Sequence, residues 1–275
     1  MVKKIFESLR VIYHFVRFAF SAKSIDTIDS PLVFRICEML RKNIAPNQII
    51  SHTERRRMHL ISNETLIYRQ SLGSKSSMIQ SESVSIAQLA NTAVSPKYKC
   101  EILYKLIDSI RPEKVLELGT SLGISTSYIS ALDSIEYIDT VEGSQSIALY
   151  NSNSEFDPKI RFHNMSFQSF IDHAYARKTK YDCIFIDGHH TYDATLSYVN
   201  QLKELLNPKG YIIIDDIYWS SDMIKAWEEL RNDSYFNLKI NMFFFGVISN
   251  QNSIKEIIDV KLSPIKFRYQ LGLFR

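Results

Sequence analysis

"VLELGTSLGISTSYIS", Val115 to Ser130, decides how the rest of the chain is read. An apolar run stops at Gly119, and four residues later Gly123 opens a segment rich in Ser and Thr. The chain holds only 8 Gly in 275 residues, well under the usual roughly 7%. Glycine lets backbone approach a neighbour closely and permits positive φ. The pattern predicts a strand, a turn cleared of side chains so that a ligand can lie across it, and a helix.

Downstream the same rhythm repeats. "KVLELG", "EYIDTVEG", "KIRFHNM", "YDCIFIDG" and "GYIIIDD" are short and nearly continuously apolar, as expected of parallel strands buried on both faces. Helical candidates lie between them, such as "TYDATLSYVNQLKELL", in which Tyr192, Leu196, Val199, Leu202 and Leu206 share a face. Strand–helix alternation of this kind predicts a doubly wound, mostly parallel α/β sheet. "YFNLKINM" and "FFGVISN" are too close together for a crossover helix and should form an antiparallel hairpin at one edge. Gly119, Gly123, Gly143 and Gly188 follow strand ends, and Gly210 starts a strand. In such sheets ligands bind beyond the carboxyl ends of the strands.

Upstream the chain reads as a helical extension over residues 1–95, followed by a core over 96–250 and a C-terminal tail over 251–275. Ser30 and Pro31 are a helix start. The run Arg55, Arg56, Arg57 reads as a solvated basic face. "SLGSKSSMIQSESVS" reads as a loop. In residues 1–20, Lys3, Glu7, Arg10, His14 and Arg17 form one polar stripe on an otherwise apolar helix. Such a helix docks on the protein's own body or on a second copy in a homodimer, with a basic helix on a membrane surface as the alternative. Its charges interrupt it well short of the ~18 uncharged residues of a spanning helix.

The composition is that of an ordinary globular protein, 45% hydrophobic and 23% charged. A net charge of +3 gives no argument for a nucleic-acid partner. Cys37, Cys100 and Cys183 are scattered without a CxxC. That argues against a disulfide framework or a paired-cysteine zinc site, and fits a reducing, cytoplasmic compartment.

The turn reads GxxxG and lacks the middle glycine of the GxGxxG dinucleotide fingerprint. "ELGTSLGIST" instead resembles the first motif of class I S-adenosylmethionine-dependent methyltransferases, an acidic residue followed by GxxxG. "FIDGHHTYDATLSY" and "GYIIIDDIYWSSDMIKAWEEL" resemble a bacterial small-molecule O-methyltransferase subgroup related to the metal-dependent catechol type. The resemblance implies a seven-stranded Rossmann-like methyltransferase fold and S-adenosylmethionine as cofactor. It implies that Glu117, Gly119, Ser121 and Gly123 lie by the methionine part of the cofactor. Glu142 and Gly143, 25 residues after Glu117 at the second strand end, lie by the ribose diol, and a carboxylate there accepts two hydrogen bonds. Asn164, Met165 and Ser166 fall where the adenine is expected, and Asp187 borders the reacting end.

Asp187, Asp215 and Asp216 all sit at strand ends, where three carboxylates repel one another unless a cation or protons intervene. Mg²⁺ or another divalent ion on these three is one expectation. The catechol-type pattern there is Asp, Asp, Asn, so Asp216 departs from it. The competing expectation is that His190 takes the acceptor's proton without a metal, with Asp187 beside it and His189 as the substitute base. Tyr192, Tyr218 and Trp219 are candidate walls for a small-molecule acceptor. The leading expectation is O-methylation of a small hydroxylated molecule or glycan precursor. The alternatives are N-methyl transfer, aminopropyl transfer, and a non-catalytic subunit on the same fold.

Overall fold

The computed structural model describes residues 2–22, 30–45, 47–68 and 83–263, with side chains of the first helix from residue 9 onward. Three helices come first: α1 (Val2–Ser21), α2 (Pro31–Arg41) and α3 (Gln48–Leu60). Ser30 caps α2 as expected, its hydroxyl accepting from the Val33 amide at 3.4 Å, with Pro31 in the first turn. A short antiparallel pair, β1 (Leu66–Tyr68) and β2 (Ser83–Ser85), leads into α4 (Ile86–Thr92) and α5 (Lys97–Ile110). The Ser-rich stretch expected to form a loop lies outside the described residues, except for its end in β2.

The core then alternates as the sequence predicts: β3 (Lys114–Leu118), α6 (Ile124–Ser130), β4 (Tyr137–Glu142), α7 (Gln145–Ser152), β5 (Ile160–Asn164), α8 (Phe167–Ala176), β6 (Tyr181–Ile186), α9 (Tyr192–Leu202), β7 (Leu206–Asp215) and α10 (Ser221–Asn232). The last strands are β8 (Leu238–Asn241), β9 (Phe245–Ser249) and β10 (Ile258–Lys261). Strand order is β10-β8-β9-β7-β6-β3-β4-β5, parallel except for β9. The expected hairpin forms, with β9 lying antiparallel to β7. It is not the edge, because β10 adds parallel to β8 as an eighth strand drawn from residues 251–275.

The strands are apolar throughout because each serves two cores. Leu116, Leu118, Ile184, Ile186, Ile212 and Ile214 face one, packed against Phe18, Phe170, Val199 and Trp227 of α1, α8, α9 and α10. Val115, Cys183, Phe185 and Ile213 face the other, against Ile36, Leu103, Leu106 and Ile129 of α2, α5 and α6. Fully burying one such side chain is worth ~1.5–3 kcal/mol, so the sheet's register is firmly held. Leu118 pairs with Val141 and Ile186, and Ile186 with Ile214. The carboxyl ends of β3, β4, β6 and β7 therefore lie side by side.

Helix α1 docks, but not as the polar stripe suggests. Phe18 is buried, and Phe15 meets Phe243 edge-on at 5.0 Å. Arg10 and His14 of the stripe turn toward the protein: Arg10 donates to the Trp219 carbonyl at 3.2 Å, and the His14 ring lies 5.5 Å from that of Tyr218. Leu9, Ile12, Tyr13, Val16 and Phe20 are exposed instead. Burial, with Arg17 and Arg10 beside it, lowers the His14 pKa. Among the described residues, no helix is long and apolar enough to cross a membrane.

Candidate active site

The turn after β3 is built from backbone in conformations that L residues rarely adopt: Gly119 at φ +114°, Ser121 at +48° and Gly123 at +70°. Space decides the glycines. A Cβ on Gly119 would lie 2.0 Å from the carbonyl oxygen of Asp187, and one on Gly123 would lie 2.7 Å from the Phe156 ring. Gly119 lets the residue after β6 approach closely, and there the Asp187 amide donates to the Leu118 carbonyl at 2.9 Å, while Gly123 makes room for the Phe156 ring. The ligand-facing surface is left to what lies between them.

Glu117 lies beneath this surface. It is fully buried, and its carboxyl accepts from Ser125 Oγ at 2.8 Å, Thr140 Oγ1 at 2.6 Å and the Thr126 hydroxyl. It ties β3, β4 and α6 together rather than facing a ligand as expected. Burial pushes its pKa up to about 7 against the three hydroxyl donors.

Glu142 does reach the surface. Its Oε2 accepts from the Ser121 amide at 2.9 Å and its Oε1 from the Ser144 amide at 2.8 Å, so the carboxylate bridges the turns after β3 and β4. Each oxygen keeps lone-pair capacity for an incoming hydroxyl. Ser121 is pinned on both sides, since its carbonyl accepts from Asn151 Nδ2 at 2.7 Å, yet its own buried hydroxyl has no partner among the described residues. Buried hydroxyls are rarely left so, and this one lies on a narrow cleft lined by Val94, Ser95, Thr120, Ser121, Ser125 and Asp187. Gly143 follows Glu142 just beyond the end of β4. Asn164 donates to the Glu142 carbonyl at 2.8 Å and fixes the next strand end. Met165 is partly buried against the core, and the Ser166 hydroxyl caps α8, accepting from the Ser169 amide at 3.1 Å.

One wall was not foreseen. Val94 and Ser95 lie between α4 and α5, inside or just before the expected domain boundary. Arg57 holds this segment through the Ser95 carbonyl at 2.7 Å and pairs with Glu54 at 3.1 Å. The basic run is thus not a solvated face. Arg57 is largely buried, and Arg56 lies over the Phe156 ring at 4.3 Å; only Arg55 is exposed.

The carboxylates converge as expected, but around a lysine. Lys99, in the first turn of α5 and only 7% exposed, donates to Asp215 Oδ2 at 2.8 Å and Asp216 Oδ1 at 2.6 Å. Burial opposes its charge, but Asp215, Asp216 and Asp187 together hold its pKa above the ordinary lysine value. Burial opposes ionisation of Asp216 too, but Lys99 and His190 keep it below the usual range. Burial raises Asp187 to about 6, against the pull of Lys99. Burial and the neighbouring Asp216 raise Asp215 well above the carboxylate range. Among the described residues Asp215 Oδ1 has no amide or hydroxyl donor, and it faces the Asp187 carboxyl. The divalent ion expected on Asp187, Asp215 and Asp216 does not fit this arrangement, because an ammonium already occupies the point where two of the three converge. Among the described residues, no cluster of His, Cys, Asp and Glu has metal-holding geometry.

The two histidines separate. His189 is at φ +53°; its Nδ1 pairs with the Tyr198 hydroxyl at 2.8 Å and its ring packs on Phe167 at 4.8 Å. His190 turns to the carboxylates, with Nε2 3.7 Å from Asp187 Oδ1. Tyr218 stacks on Phe243 at 4.9 Å and accepts from Asn241 Nδ2 at 2.9 Å, and the Tyr192 hydroxyl bonds to Glu229. Both are engaged in packing rather than lining the cleft. Trp219 is half exposed.

Residues 116–217 match a family model described as a methyltransferase domain. No curated protein matches the chain. Among solved structures, an O-methyltransferase from Bacillus cereus in complex with SAH is 15% identical, with a TM-score of 0.52, over 75% of this chain and 91% of that one. The SAH-bound methyltransferase PaMTH1 from Podospora anserina is 14% identical, with a TM-score of 0.53, over 84% of this chain and all of that one. At these identities the likeness is one of fold.

Proposed function

We propose that this chain, whose residues 116–217 match a family model described as a methyltransferase domain, transfers the methyl group of S-adenosylmethionine to an oxygen of a small hydroxylated molecule. The observation that carries the reading is the strand-end carboxylate Glu142, which accepts from the Ser121 backbone amide at 2.9 Å, while Ser121 and Asp187 line a narrow cleft and the buried Ser121 hydroxyl has no partner among the described residues. S-adenosylmethionine, when bound, supplies a methyl group on a sulfonium, open to in-line attack.

The chain's own residues supply the rest. Glu142 accepts the ribose hydroxyls, and the Ser121 hydroxyl gains a partner. His190 stands beside Asp187, which lines the cleft, with its Nε2 3.7 Å from Asp187 Oδ1. Its imidazole takes the acceptor's hydroxyl proton as the oxygen forms its bond to the methyl carbon, and Asp187 stabilises the resulting charge. No step runs through a metal. Glu142 and Ser121 would hold the cofactor, which would supply the methyl group and keep the bonding pair on its sulfur.

Methyl-labelled S-adenosylmethionine, incubated with the protein and a fractionated pool of small hydroxylated compounds, tests the reading. Label is expected in a methyl ether. Label found only in N-methylated products, or transfer of the aminopropyl rather than the methyl group, would overturn it.

A further inference from the structure

The strand ends of β6 and β7 raise a question that methyl transfer alone does not answer. Three carboxyl groups, Asp187, Asp215 and Asp216, are gathered in a poorly hydrated place where the related metal-dependent pattern would put a cation. We propose that Lys99 is that cation: its ammonium takes the position of a divalent ion, and the site is built to work without one.

Four observations support this. The ammonium bridges two carboxyl oxygens at 2.8 and 2.6 Å, as a bound ion would. The lysine side chain is nearly buried at 8% exposure and the Asp215 side chain at 1%, so neither swings out at little cost to admit a hydrated ion. Lys99 stands in the first turn of a fourteen-residue helix that also packs against α2 and α6, so its backbone is fixed. The aromatic ring of Phe245 lies 5.6 Å from the ammonium and closes another side. Asp216 carries a charge where the metal-dependent pattern has a neutral Asn. Asp216 gives the ammonium a second carboxyl partner, at 2.6 Å beside Asp215 at 2.8 Å. The groups facing Lys99 are thus Asp187 from the end of β6, Asp215 and Asp216 from the end of β7, Phe245 from β9, and His190 beyond Asp187.

Ion binding reads the role of Lys99 without turnover. Removing the lysine side chain should uncover a site for a divalent ion. It rests on the methyltransferase reading only for what the cation is for, not for where it is. The test is therefore binding of Mn²⁺ alone, followed by electron paramagnetic resonance, in the wild type, Lys99→Ala and Lys99→Ala/Asp215→Asn. The wild type is expected to show no saturable Mn²⁺ site up to the millimolar range. Lys99→Ala is expected to gain one site, and the double variant to lose it again. If Lys99→Ala does not fold without metal, refolding in Mn²⁺ and in EDTA reads the same property. Recovery in Mn²⁺ only supports the proposal, and equal recovery overturns it. A stoichiometric Mn²⁺ site in the wild type that is lost in Asp215→Asn overturns it, as does a folded Lys99→Ala that binds no ion. Calorimetry with S-adenosylhomocysteine on the same wild-type sample separates the two claims: absence of cofactor binding would contradict the function and leave the ion result standing.

Discussion

Glu117 shows how a motif residue can matter without touching a ligand. Buried among three hydroxyls, its carboxyl has a folded pKa raised from 4.5 to about 7. A raised carboxyl pKa means that the folded protein holds the proton more tightly than the unfolded chain. The stability this contributes is full below about pH 4.5 and is lost as pH rises through about 7, by on the order of 3 kcal/mol across that window. Asp187, raised to about 6, adds a smaller loss in the same direction. Glu117→Gln keeps a neutral acceptor in place, so its unfolding free energy by urea titration at pH 5 and pH 7.5 should differ far less than that of the wild type. An equal pH dependence in the variant would place the titrating group elsewhere. None of this is visible in "ELGTSLGIST". The acid and the two glycines are legible there, but the hydroxyl of Thr140 and the crossing backbone of Asp187 come from other strands.

The elements were legible in proportion to how local their cause is. The strands β3 to β7 follow from continuous apolar runs, and the β8–β9 hairpin from the short gap between its strands. The α2 cap follows from Ser30 and Pro31. What sequence reading missed is non-local. Lys99 is 116 residues from Asp215, and nothing near it announces a buried ion pair. β10 pairs with β8 inside a segment that reads as tail. In α1 the polar stripe pointed the wrong way, because Arg10 and His14 found a carbonyl and a ring on the protein while apolar residues stayed outside. The orientation of α1 makes a sharp contrast between two of its phenylalanines. Phe18 is 3% exposed, and Phe20 is 71% exposed. Phe18→Ala should cost about 2–4 kcal/mol and lower the melting temperature by roughly 5 °C or more. Phe20→Ala should change stability by less than about 0.5 kcal/mol. Equal effects in thermal unfolding would mean that the helix docks on its other face.

At the scale of the whole molecule, one edge of a twisted sheet gathers the chemistry. The register brings Glu142, Asp187 and Asp215 out side by side, the end of the extension lines the cleft at Val94 and Ser95, and Lys99 of the core adds its charge. The central claim is that this edge binds the methyl donor through Glu142. Calorimetric titration of S-adenosylhomocysteine into the wild type and into Glu142→Ala tests it most directly. The wild type should saturate at one ligand per chain. The variant should bind roughly 10- to 100-fold more weakly, the loss of a charged acceptor being worth about 1.5–3 kcal/mol. No saturable heat in the wild type, or unchanged affinity in a folded Glu142→Ala, would contradict the account.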